Sequence, residues 1–171
     1  MPEPGRHKPT IQRWATLALT SLLALVGCDV QRIAGLEVGV TTEAEVRARW
    51  GEPAAVYAEP DGSRTLEYPR QPEGQVNYML AIGADGKLVA LRQVLTPDRF
   101  ATIEPGWDQA RVRRLLGRPA QTRRYALKQQ EVWDWRFADA GEARMFSVTF
   151  DAAGRVVSTA ITPDPKYLHR G

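Results

Sequence analysis

The sequence predicts an α+β fold of two tandem units, each a short helix or helical pair packed on a three- to four-stranded antiparallel sheet. Three observations support this prediction: an internal duplication, a helix signal that ends in Gly-x-Pro in both copies, and regular apolar alternation downstream of each helix. Alternation with a period of two is typical of half-buried strands, and a helix followed by such strands forms a two-layer unit.

The duplication has a spacing of about 67 residues, which is longer than that of solenoid repeats but suits two copies of a small α+β unit. The matching segments are residues 36–39 and 103–106, 46–53 and 112–119, 66–68 and 133–135, 86–89 and 154–157, and 96–98 and 162–164. We therefore predict a first unit over residues 28–98 and a second unit, with a polar C-terminal tail, over residues 99–171. Residues 1–27 are predicted to be a signal peptide.

The first copy opens with a short helix. Thr42 is the predicted N-cap, and Glu45 is placed to complete a capping box with it. Val46 and Trp50 lie one turn apart and share the apolar face. Gly51 supplies the left-handed residue that ends the helix, and a proline two residues later prevents its continuation.

The second copy repeats this helix with other residues. Asp108 is the predicted N-cap, and Val112, Leu115 and Leu116 form the apolar stripe. Gly117, together with the proline at position 119, ends this helix. Trp107, just before the cap, has two interpretations: it staples the start of the helix, or it stands exposed on a loop.

The strands are predicted from alternation. Apolar residues that share a face are Val76, Tyr78, Leu80 and Ile82 in the first copy and Phe146, Val148 and Phe150 in the second. In the preceding strand, Leu66 and Tyr68 share a face in the first copy, and the corresponding residues of the second copy are Trp133, Trp135 and Phe137. This correspondence places the two tryptophans in the core rather than on an exposed binding surface. Hairpin turns at residues 85–86 and 153–154 lead into final strands over residues 88–95 and 156–161.

The N-terminus is predicted to be an export signal. Three basic residues precede an uncharged apolar stretch of 13 residues, residues 14–26, which is shorter than the ~20 needed to cross a bilayer. The tetrapeptide Leu25-Val26-Gly27-Cys28 resembles the lipobox of bacterial lipoproteins, after which the cysteine becomes the lipidated first residue of the mature chain. Each buried acyl CH2 adds roughly 0.8 kcal/mol of membrane affinity. The alternative is an ordinary signal peptide followed by a buried thiol.

Composition limits the chemistry that the folded region can perform. Without the charges of residues 1–27, the chain has 20 basic and 19 acidic residues, and this near-neutrality together with export disfavours a nucleic-acid partner. Cys28 is the single cysteine, and the two histidines, His7 and His169, lie in the leader and the tail. We therefore predict no enzyme, no metal site and no cofactor. Asp134 and Glu131 fall on opposite faces of one strand and are predicted to be solvated charges rather than a catalytic pair.

The basic residues between positions 109 and 130 are the sharpest surface anomaly, because no acidic residue interrupts them. Near a membrane each such charge contributes about 1 kcal/mol toward anionic headgroups. The residues predicted to contact headgroups or an acidic partner are Arg111, Arg113, Arg114, Arg118, Arg123 and Arg124. The competing interpretation is an arginine coat that serves solubility alone.

Residues 106–119, Gly-Trp-Asp-Gln-Ala-Arg-Val-Arg-Arg-Leu-Leu-Gly-Arg-Pro, resemble the Gly-Met-Thr-x-x-x-Val-x-x-x-Leu-Gly-x-Pro signature of the SmpA/OmlA family of BamE-like lipoproteins. Trp107 and Asp108 replace Met and Thr, and the first copy departs further, with one extra residue and Trp50 in the leucine position. The resemblance implies a small, non-enzymatic lipoprotein with helices on a three-stranded antiparallel sheet. For the best-known member it implies an accessory role in the outer-membrane β-barrel assembly machine. Tandem copies also resemble β-lactamase-inhibitory proteins, which bind an enzyme across a concave sheet.

Two functional hypotheses follow. The first is a lipid-anchored scaffold that faces the periplasm and supports assembly or integrity of the outer membrane through protein contacts, with the β-barrel assembly machine as one candidate partner. The second is an inhibitor-like or sensory module that binds another periplasmic protein or ligand. The outer membrane is the favoured location, but Asp29, directly after the cysteine, resembles an inner-membrane retention signal. A hydrolase that uses carboxylates alone ranks last.

Overall fold

The computed structural model describes residue 29 and residues 31–167. Cys28, the leader and His169 lie outside the described residues, so lipidation and export stay predictions. The chain divides into two compact units, Met1–Glu37 and Val38–Gly171. In the described part of the first unit, residues 31–34 are helical, and the Leu36 N–H donates to the Ile33 carbonyl at 3.0 Å. Of the helices that the structure describes, none has the length and apolar character needed to cross a membrane.

The second compact unit carries two four-stranded antiparallel sheets, with strand orders β1-β2-β3-β4 and β5-β6-β7-β8. This confirms the predicted α+β class and the tandem architecture, while the predicted boundary between residues 98 and 99 stays a prediction. The elements are α1 Glu43–Trp50, β1 Ala55–Ala58, β2 Arg64–Pro69, β3 Asn77–Ile82, β4 Leu88–Gln93, α2 Pro97–Phe100, α3 Gln109–Leu116, β5 Gln121–Tyr125, β6 Gln130–Asp139, β7 Glu142–Phe150 and β8 Val156–Pro163. Short 3-10 turns lie at Ala126–Lys128 and Pro165–Tyr167.

The helix starts match the sequence signals. At α1 the Thr42 N–H donates to the Glu45 carboxylate at 2.8 Å, and the Glu45 N–H donates to the Thr42 hydroxyl at 3.3 Å, which completes the predicted capping box. At α3 the Arg111 N–H donates to Asp108 Oδ1 at 2.8 Å. The glycine that ends α3, Gly117, has φ +75°, the region that favours glycine.

Helix α1 packs on the first sheet through its predicted apolar face. Val46 and Trp50 are buried. The Trp50 ring meets Tyr68 of β2 at a centroid distance of 5.3 Å and Tyr78 of β3 at 5.2 Å, both edge to face. Each such aromatic pair contributes about 0.5–1.5 kcal/mol beyond area burial.

The strand register confirms the predicted faces. Leu66 lies opposite Leu80 in the first sheet, and Trp135 lies opposite Phe146 in the second, so the apolar positions of neighbouring strands share one side. Three boundaries differ: β3 begins after Val76, β4 ends at Gln93 rather than Leu95, and β8 continues to Pro163. These shifts of two residues or fewer leave every face assignment unchanged.

The core of the second sheet is aromatic. Its buried residues include Trp135, Phe137, Phe146, Val148 and Phe150 from the sheet, Val112 and Leu116 from α3, and Phe100 from α2. The Phe100 ring stacks on Phe146 at 4.0 Å. Trp133 and Trp107 are partly buried against the same cluster, so both predicted core tryptophans are confirmed and Trp107 packs on the core at the helix start.

Helix α3 lies between the two sheets, and its C-terminal carbonyls show this directly. The Leu116 carbonyl accepts a hydrogen bond at 2.7 Å from the Asn77 side chain of the first sheet. The next carbonyl, of Gly117, accepts one at 3.0 Å from the Trp135 indole of the second sheet. Terminal helix carbonyls have no partner within the helix, so each sheet supplies one and the helix end is held between them.

Candidate functional site

The face of the first sheet that lies opposite α1 is turned toward α3, and we call it the inner face. It has two rows of cross-strand neighbours: Ala55, Glu67, Met79 and Arg92 form one, and Tyr57, Thr65, Ala81 and Ala90 form the other. The first row carries a carboxylate that α3 covers. Beyond Tyr57, the second row carries the small side chains of Thr65, Ala81 and Ala90, which line a cavity beside α3.

Glu67 is one of the residues through which the first sheet is bonded to α3. Arg113 of α3 donates from Nη2 to Oε1 at 2.9 Å and from Nε to Oε2 at 3.1 Å. The Arg118 N–H donates to Oε1 at 2.8 Å, and the Tyr57 hydroxyl donates to Oε2 at 2.7 Å. Glu67 is 0% exposed, and four donors satisfy both of its oxygens. A carboxylate buried this fully is tolerable because its charge is paired and its hydrogen bonds are made.

The surroundings of Glu67 also set the protonation of its partners. Burial, followed by the hydrogen bond to the Glu67 carboxylate, raises the pKa of Tyr57 to about 12. Burial alone would lower the pKa of Arg113, but the hydrogen bonds and the charge of Glu67 outweigh burial and raise it. Near neutral pH, Tyr57 is therefore a neutral donor and Arg113 a permanent cation.

Asp134 occupies in the second sheet the place of Glu67 in the first, and the prediction that it is solvated is wrong. It is 0% exposed and accepts from Ser147 Oγ at 2.6 Å and from Gln121 Nε2 at 3.0 Å, while Arg123 Nη2 lies 2.9 Å from Oδ2. Arg123 corresponds by register to Tyr57. The acid of the first sheet thus takes its cation from α3, whereas the acid of the second sheet takes it from its own edge strand.

A cavity of about 160 Å³ lies over the small-residue row of the inner face. Its lining is Thr65, Met79, Ala81, Ala90, Arg92, Val94, Arg99, Arg114 and Leu115. Three different elements, β4, α2 and α3, each contribute one arginine, and the lining contains no acidic residue. The methyl groups of the two alanines are too short to reach α3, which is why space remains there.

The hairpin between β5 and β6 projects the most exposed apolar side chain of the described residues. Leu127, in the 3-10 turn, is fully exposed, and Tyr125 is 42% exposed. Arg124 and Lys128 flank them, and a groove of about 450 Å³ runs beside the turn toward Asp151. This hairpin tip combines two apolar side chains with two cations, a combination suited to contact with a partner or a membrane surface.

The six arginines predicted as contact residues do not form one surface. The Arg111 guanidinium stacks 3.5 Å above the Trp107 ring. Arg113 and Arg118 meet at Glu67, and Arg118 Nη2 also donates to the Gln71 carbonyl at 3.3 Å. The other three are paired as follows: Arg114 with Glu59, Arg123 with Asp134, and Arg124 with Glu131 at 3.5 Å. Arg124 is the least constrained of these three, since its side chain is 85% exposed. Their role in headgroup or partner contact stays a prediction.

Candidate metal ligands are dispersed. Within residues 29 and 31–167, no group of three or more His, Cys, Asp or Glu residues is arranged to hold a metal ion. The described residues offer charge, hydrogen-bonding groups and apolar surface for recognition.

Sequence reasoning missed Glu67, Tyr57, Arg92 and Arg99. A polar residue between two apolar strand residues is normally predicted to face solvent. Glu67, between Leu66 and Tyr68, fits that pattern and is therefore predicted to be exposed. One signal could have exposed it: both copies have an acid at this position, Glu67 and Asp134. Nothing in the sequence marks Arg92 or Arg99, because the cavity exists only once α2 and α3 are in place.

No protein-family model matches the sequence, and no curated protein sequence matches it. Solved structures that align with the chain include a candidate osmotically inducible lipoprotein, OsmE, with a TM-score of 0.36, 22% identity, and coverage of 41% of this chain and 82% of that one. A candidate β-lactamase inhibitor protein from Streptococcus mutans aligns with a TM-score of 0.35, 11% identity, and coverage of 71% and 82%. A DUF4309 family protein, YjgB, from Bacillus subtilis aligns with a TM-score of 0.30, 15% identity, and coverage of 76% and 83%. Likeness at this level does not assign this chain to a family.

Proposed function

We propose that this chain is a lipid-anchored lipoprotein of the bacterial envelope that acts as a non-catalytic scaffold or accessory factor in outer-membrane β-barrel assembly or integrity. Cys28 carries the anchor in this proposal, and the domain faces the periplasm. The resemblance of residues 106–119 to the SmpA/OmlA signature supports the choice of process. The hairpin tip supports the choice of binding over chemistry.

The observation that carries the binding role is the exposure of Leu127. Burying a leucine side chain is worth roughly 1.5–3 kcal/mol relative to leaving it in water. Leu127 gains none of this in the isolated chain, and Tyr125 gains only part, so both are available to a partner. Arg124 and Lys128 add positive charge at the same tip. A partner with an apolar pocket bordered by acidic groups matches this surface.

Photocrosslinking in the native envelope tests the proposal. A photoreactive amino acid replaces Leu127 in one strain and Val89 in a matched control strain, because Val89 is also exposed, at 55%, but lies on β4, away from the hairpin tip. We expect position 127 to capture a component of the β-barrel assembly machine and position 89 to capture none. Equal products at the two positions would contradict a binding role for the tip.

Replacement of Cys28 by Ser tests the anchor. The replacement should abolish palmitate incorporation, and a Cys28→Ser variant that still incorporates palmitate would contradict the anchor.

An inhibitor-like or sensory module is the second candidate, and the arginine-lined cavity is the observation that favours it. A site for a small ligand between the first sheet and α3 is of no evident use to a passive scaffold. A single stoichiometric crosslinked partner outside the assembly machine would support this candidate and contradict the first. If deletion of the gene leaves outer-membrane barrels intact and detergent resistance unchanged, that result would also support this candidate over the scaffold.

A further inference from the structure

We propose that the cavity over the inner face binds a small organic oxyanion, with a carboxylate or phosphate head and an apolar body no larger than a benzene ring. The proposal concerns a site distinct from the hairpin tip, and it goes beyond the scaffold role by giving the sensory alternative a class of ligand. It rests on the charge of the cavity, the freedom of two of its arginines, and its size.

The wall of the cavity is positively charged. Arg92 of β4, Arg99 of α2 and Arg114 of α3 line the cavity, and no acidic residue does. Arg114 is partly neutralised, because Glu59 pairs with it and the Tyr57 ring lies 5.3 Å from its guanidinium carbon. That leaves two uncompensated positive charges on the wall of one small cavity.

Arg92 and Arg99 are free to bind. Among the residues that the structure describes, neither guanidinium forms an ion pair, a side-chain hydrogen bond or a contact with an aromatic ring. Arginine has five N–H donors and no acceptor, so only an acceptor, and best an anion, can satisfy it. Two guanidinium groups from separate elements can hold the two oxygens of a carboxylate, or several oxygens of a phosphate, in the bidentate geometry that arginine favours.

The apolar part of the lining, which we call the floor of the cavity, favours a ligand with both an apolar and a charged end. Ala81, Ala90, Val94 and Leu115 supply an apolar lining, and Thr65 contributes one hydroxyl. The volume of about 160 Å³ is close to that of the roughly 150 Å³ apolar cavity that accommodates benzene. A ring or short alkyl chain thus fits against the alanines while its anionic head faces the arginines.

Titration calorimetry on the full-length chain tests this with three probes: benzoate, phenyl phosphate, and benzamide as the neutral analogue of benzoate. We expect at least one anion to bind at least tenfold more tightly than benzamide, and added salt to weaken that binding, since the attraction is ionic. The stronger of the two anions identifies the head group. Equal affinity for all three probes, or no binding of either anion at tens of millimolar, would overturn the proposal.

Variants locate the site. Arg92→Gln combined with Arg99→Gln should weaken anion binding at least tenfold, whereas the control Arg49→Gln, an exposed arginine in the last turn of α1, should change it less than twofold. Ala90→Val keeps every charge but fills the floor, so it should also remove binding while near-ultraviolet circular dichroism shows intact packing. Unchanged affinity in both the arginine and the valine variants would place any bound anion elsewhere and refute the site.

Discussion

Removing the cation from the Glu67–Arg113 pair is the sharpest test of how the two sheets are held together. Arg113→Met keeps an apolar stem of similar length but leaves the Glu67 carboxylate, 0% exposed, without its cation. Breaking a buried pair in this way costs about 3–5 kcal/mol. Because the Arg113 side chain is 30% exposed and its loss lets water approach, we expect the lower end, about 3 kcal/mol. At this chain length that corresponds to a fall in melting temperature of about 9 °C.

Two further variants separate this effect from a general loss of arginine. Arg124→Met removes a cation whose side chain is 85% exposed, so it should cost about 0–1 kcal/mol. Adding Glu67→Gln to Arg113→Met removes the uncompensated charge, and the double variant should recover most of the loss. The amide oxygen still accepts from the Arg118 N–H in the place of Oε1, and the amide NH2, in the place of Oε2, can donate to the Tyr57 hydroxyl oxygen. Urea unfolding measures all three. If Arg113→Met costs no more than Arg124→Met, or if the double variant is less stable than Arg113→Met, the reasoning fails.

Three other predictions follow from single contacts. Asn77→Ala should lower the free energy of unfolding by about 1–3 kcal/mol in urea, because it strands the Leu116 and Arg118 carbonyls, to which the amide donates at 2.7 and 3.1 Å; a neutral result would show that water replaces it. Tyr57 has a folded pKa of about 12, above its ordinary value of 10, so its contribution to stability is complete below pH 10 and is lost as the pH rises toward 12. Tyr57→Phe should therefore have a lower free energy of unfolding than the wild type at pH 9, and the difference between the two proteins should be smaller at pH 11.5. A difference that does not change with pH would contradict this prediction. Finally, Arg124→Gln with Lys128→Gln in a Cys28→Ser background should reduce flotation with phosphatidylglycerol vesicles several-fold relative to Arg49→Gln, since each charge contributes about 1 kcal/mol at an anionic surface, and equal flotation would reject headgroup contact by the hairpin tip.

The local structure was predictable because its causes are local. The Thr42 and Asp108 caps each involve a backbone N–H three residues away, so their sequence signals are sufficient. The assignment of Trp135 and Phe137 to a buried face follows from a period of two, which any extended strand imposes. The duplication then carries each local conclusion from one copy to the other.

The partners of the polar faces were not predictable. Glu67 and Arg113 are 46 residues apart, and a strand with one apolar face leaves open whether the other meets water or a helix. Asp134 was assigned to solvent for the same reason, although Ser147, Gln121 and Arg123 enclose it. Alternation specifies that a strand has two faces; it carries no information about what covers the second.

Local and repeated patterns in the sequence were sufficient to place the ends of α1 and α3, to assign the apolar strand residues to the buried face, and to show that the unit occurs twice. Each of these features depends on neighbours within a few residues or on a repeated pattern. The packing of the folded chain was needed to show that α3 lies between the two sheets, that it brings a cation to Glu67, and that Arg92, Arg99 and Arg114 line one cavity. These features come from elements far apart in the chain. Their positions depend on how whole faces pack, where side-chain volume and paired charge decide together.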